Sequence, residues 1–84
     1  MPVQVRLPQW GMGMQEGTVV RWLKAVGDTV VEDEPIAVIE TEKVENELEA
    51  PASGVLAHIL AAEGAVVPVY EVVAVIAEAG EEVR

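Results

Sequence analysis

Apolar side chains recur along this chain in short Val- and Ile-rich runs that stop at Gly, Pro, Asp or Ser, without the spacing of a long amphipathic helix. That pattern predicts eight short strands and an all-β fold. The first runs from Val3 to Leu7 and ends in an irregular loop, Pro8-Gln9-Trp10-Gly11-Met12-Gly13. Gly17 to Ala25 follows, and Val26-Gly27-Asp28 then turns the chain into Thr29 to Val31. Asp33 and Glu34 turn it again into Ile36 to Thr41. Val44 to Ala50 descends, Pro51-Ala52-Ser53-Gly54 turns, and a second copy of the pattern runs to about Ala79. Alternation is cleanest after position 43, where Val44, Asn46, Leu48 and Ala50 share one face and Glu45, Glu47 and Glu49 the other. On the preceding strand Ala37, Ile39 and Thr41 point inward, and Glu40 and Glu42 outward. A slip of one residue would bury those glutamates, so the register is well specified. Residues 80–84 lose the pattern and read as a tail or the start of a linker, leaving one domain over 1–79.

The two halves repeat each other. A shift of 37 positions lays Gly17-Thr18-Val19 on Gly54-Val55-Leu56, Leu23 on Leu60, Gly27 on Gly64, and Ala37-Val38-Ile39 on Ala74-Val75-Ile76, with no insertion. Halves related by a pseudo-twofold axis would be joined by a hairpin at Ile39-Glu40-Thr41-Glu42-Lys43-Val44. Lys43 then projects from its tip, as suits a residue displayed for modification.

Composition narrows the functions available. With 84 residues, 51% of them apolar, the chain supports one modest core, and without cysteine neither a disulfide nor a Cys-based metal site can supplement it. A formal charge of −10 excludes a nucleic-acid backbone or an acidic membrane surface as partner. It favours a soluble monomer and can steer a basic partner, although solubility alone also accounts for it. The first residues contain no targeting pattern and no apolar run is long enough to span a bilayer, so a cytoplasmic location is expected. A mature protein of an organellar matrix would read the same. His58 has no second His or Cys with which to bind a metal, and Gly11 and Gly13 lack the helix and lysine of a phosphate loop. No enzyme site is visible.

Several segments together carry a specific resemblance: Pro8-Gln9-Trp10-Gly11 with Met14-Gln15-Glu16-Gly17-Thr18-Val19, Trp22-Leu23 with Val26-Gly27-Asp28, Glu40-Thr41-Glu42-Lys43-Val44, and Ala50-Pro51-Ala52-Ser53-Gly54. The chain resembles the lipoyl domains of 2-oxo acid dehydrogenase complexes, within the biotinyl/lipoyl attachment family. That resemblance implies a flattened β-barrel of two four-stranded antiparallel sheets with quasi-twofold symmetry. It implies that Lys43 bears lipoic acid through an amide bond, and that Glu42 and Val44 are the flanks a lipoylating enzyme reads. The family more often has Asp and Ala there. By the same resemblance the chain is a swinging-arm carrier of acyl groups and reducing equivalents. Its partners would be the lipoylating enzyme, the dehydrogenase (decarboxylase) component, the acyltransferase catalytic domain and dihydrolipoyl dehydrogenase. Trp10-Gly11 and the Asn46 to Pro51 segment look most like the acetoin-cleaving type.

Each residue has a plainer reading as well. Lys43 could be an ordinary solvated hairpin lysine, but the symmetry and the full flanking motif favour attachment. Glu40, Glu45 and Glu47, with Glu42, form either a solvated face or a partner-recognition surface. Trp10 reads as packing beneath the hairpin, with partner recognition as its alternative; Trp22 reads as core or partial cover, and Tyr70 carries no functional signal. Asp33 and Tyr70 stand where the family usually has glycine in a turn. Asp tolerates a left-handed backbone and Tyr does not, so the Tyr70 turn is expected to be built differently. A biotin carrier is disfavoured because Lys43 lacks flanking methionines. An unmodified module that only binds partners is the other alternative.

Overall fold

The computed structural model describes residues 2–42 and 44–78. Eight strands follow one another: β1 (Val3–Arg6), β2 (Glu16–Trp22), β3 (Thr29–Val30), β4 (Pro35–Thr41), β5 (Val44–Glu49), β6 (Gly54–Ile59), β7 (Val66–Pro68) and β8 (Val72–Glu78). They form two four-stranded antiparallel sheets, ordered β1-β8-β6-β3 and β5-β4-β2-β7. Among the described residues no helix forms and no strand pairs from one sheet to the other. The expected barrel is therefore a flattened sandwich. The expected tail at 80–84, with Ala79, lies outside the described residues.

The sequence repeat is a structural one. The register shift between Val19 and Arg21 in the β2–β4 pair recurs between Leu56 and His58 in the β6–β8 pair. Ala37 faces Leu48 where Ala74 faces Val5, so β1 plays for the second half the part that β5 plays for the first, 43 residues apart. Each half also holds a turn of the other. Val19 donates its amide to Ala65 O at 2.9 Å and accepts from Gly64 N at 2.7 Å. Leu56 in turn donates to Asp28 O at 2.9 Å and accepts from Gly27 N at 2.8 Å.

Leu7, Val19, Val30, Ile36, Ile39, Leu56, Val73 and Ile76 are fully buried between the sheets. Burying each such side chain contributes about 1.5–3 kcal/mol. Trp22 closes the edge of this core, half-buried, and its indole N–H donates to Ala61 O at 2.8 Å. Two repeat-related glycines leave room for the neighbouring strand of their own sheet. A Cβ on Gly17 would lie 2.6 Å from Ile39 Cγ2, and one on Gly54 would overlap the carbonyl oxygen of Ala77.

Several strand ends differ from expectation. The strand read as Gly17 to Ala25 stops at Trp22, because Asp28 Oδ2 captures the Ala25 amide at 2.9 Å and draws residues 23–28 into a turn. Val31 leaves its strand for a similar reason, its amide donating to Glu34 Oε1 at 2.9 Å. Val44, expected inside, is 57% exposed, because the packed layers end at the level of Ile39 and Leu48. Tyr70 is the clearest correction. Its φ is 70°, beside 72° at Asp33, so the two turns are built alike. Asp33 N donates to Ala50 O at 2.8 Å and Tyr70 N to Leu7 O at 2.7 Å. The backbone clamp imposes the left-handed conformation whatever the side chain.

Gly54→Ala should lower stability by about 2–3 kcal/mol, since the methyl meets backbone that cannot move without breaking the β6–β8 ladder. Gly11→Ala should be nearly neutral, because nothing lies within 4 Å of its Cβ position. Urea denaturation of the two variants checks the contrast.

Glu34 supplies a pH-dependent contribution at the turn into β4. The Val31 amide and then Lys24, 3.0 Å away, hold its carboxyl below the ordinary glutamate value. A carboxyl depressed on folding stabilises above its unfolded value, and that contribution is lost as pH falls through the folded one. The stability gap between the protein and Glu34→Gln should therefore be widest near neutrality and shrink below about pH 4, as read by denaturation at a series of pH values.

Candidate functional site

The β4–β5 hairpin is the join between the halves. Six residue pairs run along it, ending in Glu40 opposite Glu45 and Thr41 opposite Val44. Glu42 and Lys43 are the two residues left to turn the chain. A two-residue hairpin loop of type I′ needs a left-handed backbone at its central positions, and Glu42 has it, with φ 52°. For a residue carrying Cβ that conformation costs about 1–2 kcal/mol. The shorter Asp usual in the family adopts it more easily, because its carboxylate bonds to nearby backbone. Beneath the turn the Thr41 hydroxyl reaches Val44 O, and the Asn46 amide reaches the Thr41 hydroxyl, both at 3.4 Å. Lys43 itself lies outside the described residues; its neighbours Glu42 and Val44 are exposed.

The glutamates gather on the outer face of this hairpin. Glu40, Glu45 and Glu47 are exposed, and Glu40 faces Glu45 directly, with Thr18 on its other side. Among the described residues no cation pairs with any of them or with Glu42. Like charges placed opposite each other on a sheet are destabilising, so packing does not account for their position.

Trp10 lies on the other side of the tip. The segment Trp10 to Glu16, together with Thr41, Glu42 and Val44, lines an open groove of about 740 Å³ beside the turn. Trp10 forms a wall of this groove and is 38% exposed. Its amide donates to Met14 Sδ at 3.4 Å, and Met14 N donates to Gly11 O at 3.1 Å. Met12 is fully exposed. His58 stands exposed on β6, apart from the hairpin and from the groove-lining residues. Reading the sequence alone missed the groove and the left-handed Glu42. A two-residue connection between two well-registered strands was the available signal for the second.

The described part of the hairpin end thus combines a left-handed Glu42, an exposed Val44, a face of exposed carboxylates and a loop-walled groove alongside.

Known proteins share this arrangement. The family model described as biotin-requiring enzyme, of the biotin/lipoyl type, matches residues 3–83. The chain is 43% identical over 81 residues to the dihydrolipoyllysine-residue acetyltransferase component of the pyruvate dehydrogenase complex of Corynebacterium glutamicum, covering 96% of this chain and 12% of that protein. It is 44% identical over 84 residues to the corresponding component of the acetoin cleaving system of Bacillus subtilis, covering all of this chain and 21% of that protein. The chain thus spans between about an eighth and a fifth of the length of these curated relatives. Among solved structures, the lipoyl domain of the 2-oxoglutarate dehydrogenase complex from Azotobacter vinelandii superposes with a TM-score of 0.75 at 37% identity, over 93% of this chain and 99% of that one. An all-β sandwich of two repeated halves, matched over nearly its whole length, this chain belongs to the biotin/lipoyl attachment family, as a lipoyl domain.

Proposed function

We propose that Lys43 is the lipoylated residue and that the chain is the swinging-arm carrier of a 2-oxo acid or acetoin dehydrogenase complex, working in the cytoplasm or in an organellar matrix. The observation that carries this reading is the two-residue turn, which holds position 43 between a left-handed Glu42 and an exposed Val44 where the halves join. These residues fit an amide-linked arm. The flanks are open to a lipoylating enzyme, and Thr41 and Asn46 brace the turn from below.

The lysine amine, with an ordinary pKa of about 10.4, is protonated near neutrality and depends on the ligase for activation. Amide formation removes its charge, taking the formal total from −10 to −11 and leaving the glutamates unopposed at the tip. Lipoic acid, once attached, supplies the acyl- and electron-carrying chemistry. The chain supplies placement: a two-residue connection between β4 and β5, with exposed carboxylates and a groove beside it. The dehydrogenase component, the acyltransferase catalytic domain and dihydrolipoyl dehydrogenase are the successive partners in this reading. No site for the transfer chemistry itself is assigned to this chain.

Intact-mass measurement after production in cells with a lipoylation pathway should show one lipoyl increment, lost in Lys43→Arg with the fold retained. Modification at Lys24, or an increment that survives the substitution, overturns the assignment. A biotin increment instead would place the chain on the other branch of its family.

Glu40, Glu45 and Glu47 act in this proposal as a steering surface for the dehydrogenase component, since paired carboxylates facing solvent raise encounter rates with a basic partner. Such attraction is screened over about 10 Å at 0.1 M salt. Reductive acylation should slow as salt rises. Glu45→Lys should slow it severalfold at low salt while leaving lipoylation and thermal stability nearly unchanged. Insensitivity to both would reduce the cluster to a solvated face.

A further inference from the structure

The twofold symmetry fails at one place. Gly17 and Gly54 are 37 residues apart, whereas Leu7 and Ala50, equivalent through the pairing of β1 and β5, are 43 apart. The difference is six residues. All six lie in the loop between β1 and β2, which walls the groove beside the hairpin, while its twofold mate is the short Pro51-Ala52-Ser53 turn.

One side chain from the opposite half reaches that long loop. The Tyr70 hydroxyl donates to Gln9 Oε1 at 3.1 Å, and Gln9 Nε2 donates to Met14 O at 3.0 Å. Met14 carries the Trp10 contact described above. Tyr70 is also held through its backbone, its amide on Leu7 O at 2.7 Å and its carbonyl accepting from Arg6 Nη1 at 2.9 Å, where β1 enters the loop.

Burial does not explain a tyrosine here. The ring is 58% exposed and the backbone is left-handed, a conformation glycine adopts without steric cost. Asp33 makes the equivalent backbone turn with no such reach, so the turn itself does not require a tyrosine. The hydroxyl contact with the inserted loop is what the tyrosine adds. Strain retained beside a functional segment is a pointer to a role for the strained residue.

We propose that Tyr70 is a positioning residue: through Gln9 it fixes the Trp10–Met14 loop against the Lys43 hairpin, and so sets the shape that the dehydrogenase component meets when it receives the arm. The functional half of this inference rests on the carrier reading above. The positioning half does not.

Tyr70→Phe removes only the hydroxyl. In unlipoylated protein the Trp10 indole and the Gly11 to Met14 amide resonances should shift, with the thermal midpoint nearly unchanged. In lipoylated protein the KM for reductive acylation should rise about three- to tenfold, the loss expected for one hydrogen bond, with kcat held. Tyr70→Gly should raise the thermal midpoint by relieving the backbone and still raise KM. Asp33→Gly, which relieves the twofold-related turn, should raise the midpoint and leave KM alone. A residue that served stability only could not give higher stability with weaker recognition. Unchanged loop resonances in Tyr70→Phe overturn the positioning role, whether or not Lys43 is lipoylated. Shifted resonances with an unchanged KM overturn its part in recognition.

Discussion

Everything in this fold depends on a reciprocal exchange of backbone hydrogen bonds between its halves. Val19 in the first half holds the Gly64-Ala65 turn of the second, and Leu56 in the second holds the Gly27-Asp28 turn of the first. The third strand of each half then adds to the other half's sheet, β3 beside β6 and β7 beside β2. Neither half can satisfy its backbone or bury its apolar face alone, so the core forms once, from both. Within the sheets, a Cβ at Gly54 would overlap the Ala77 carbonyl oxygen and one at Gly17 would press on the Ile39 side chain. With 84 residues and no cysteine, cooperation of this kind is how so small a chain reaches adequate burial.

The interlocked base leaves the join between the halves as a short turn on a rigid platform. Two strands in fixed register leave only Glu42 and Lys43 to reverse the chain. Thr41 and Asn46 brace the turn, and the core ends one layer below, which leaves Val44 exposed. A carrier must present one group to several active sites, and a mobile base would spread that group over too large a volume. The cost is local: a left-handed Glu42 and like charges facing each other at Glu40 and Glu45. Both features weaken the hairpin slightly, and both lie at its exposed end.

The symmetry is broken beside the hairpin. A perfect repeat would carry a short turn in place of the Trp10 loop, and no groove would flank the hairpin. The added length sits between β1 and β2, beside Thr41, Glu42 and Val44. It is tied to the opposite half through Gln9 and Tyr70. The scaffold's symmetry gives stability, and the departure from it gives one end of the molecule its own chemistry.

Much of this was legible in the residues. Alternation from Val44 to Ala50, the glycine and proline punctuation and the 37-residue repeat determined the strand count and the hairpin between the halves, because periodicity reports directly on which face is buried, while the two antiparallel sheets were implied by the family resemblance. The acidic face at Glu40, Glu45 and Glu47 followed from the same alternation. Strand ends were read less well, since side chains of the turns, Asp28 for Ala25 and Glu34 for Val31, compete for the terminal amides. Tyr70 was misjudged because propensity describes a residue by itself, whereas its conformation is imposed by the Leu7 carbonyl and by Arg6, more than sixty residues away in sequence. The sequence by itself determined the repeat, the faces of the strands and the place of the β4–β5 hairpin. Only the tertiary structure decided which turns are left-handed, that β1 completes the second half, and that a groove opens between the Trp10 loop and the hairpin. Those features arise from contacts between residues far apart in the chain, and local pattern carries no record of such contacts.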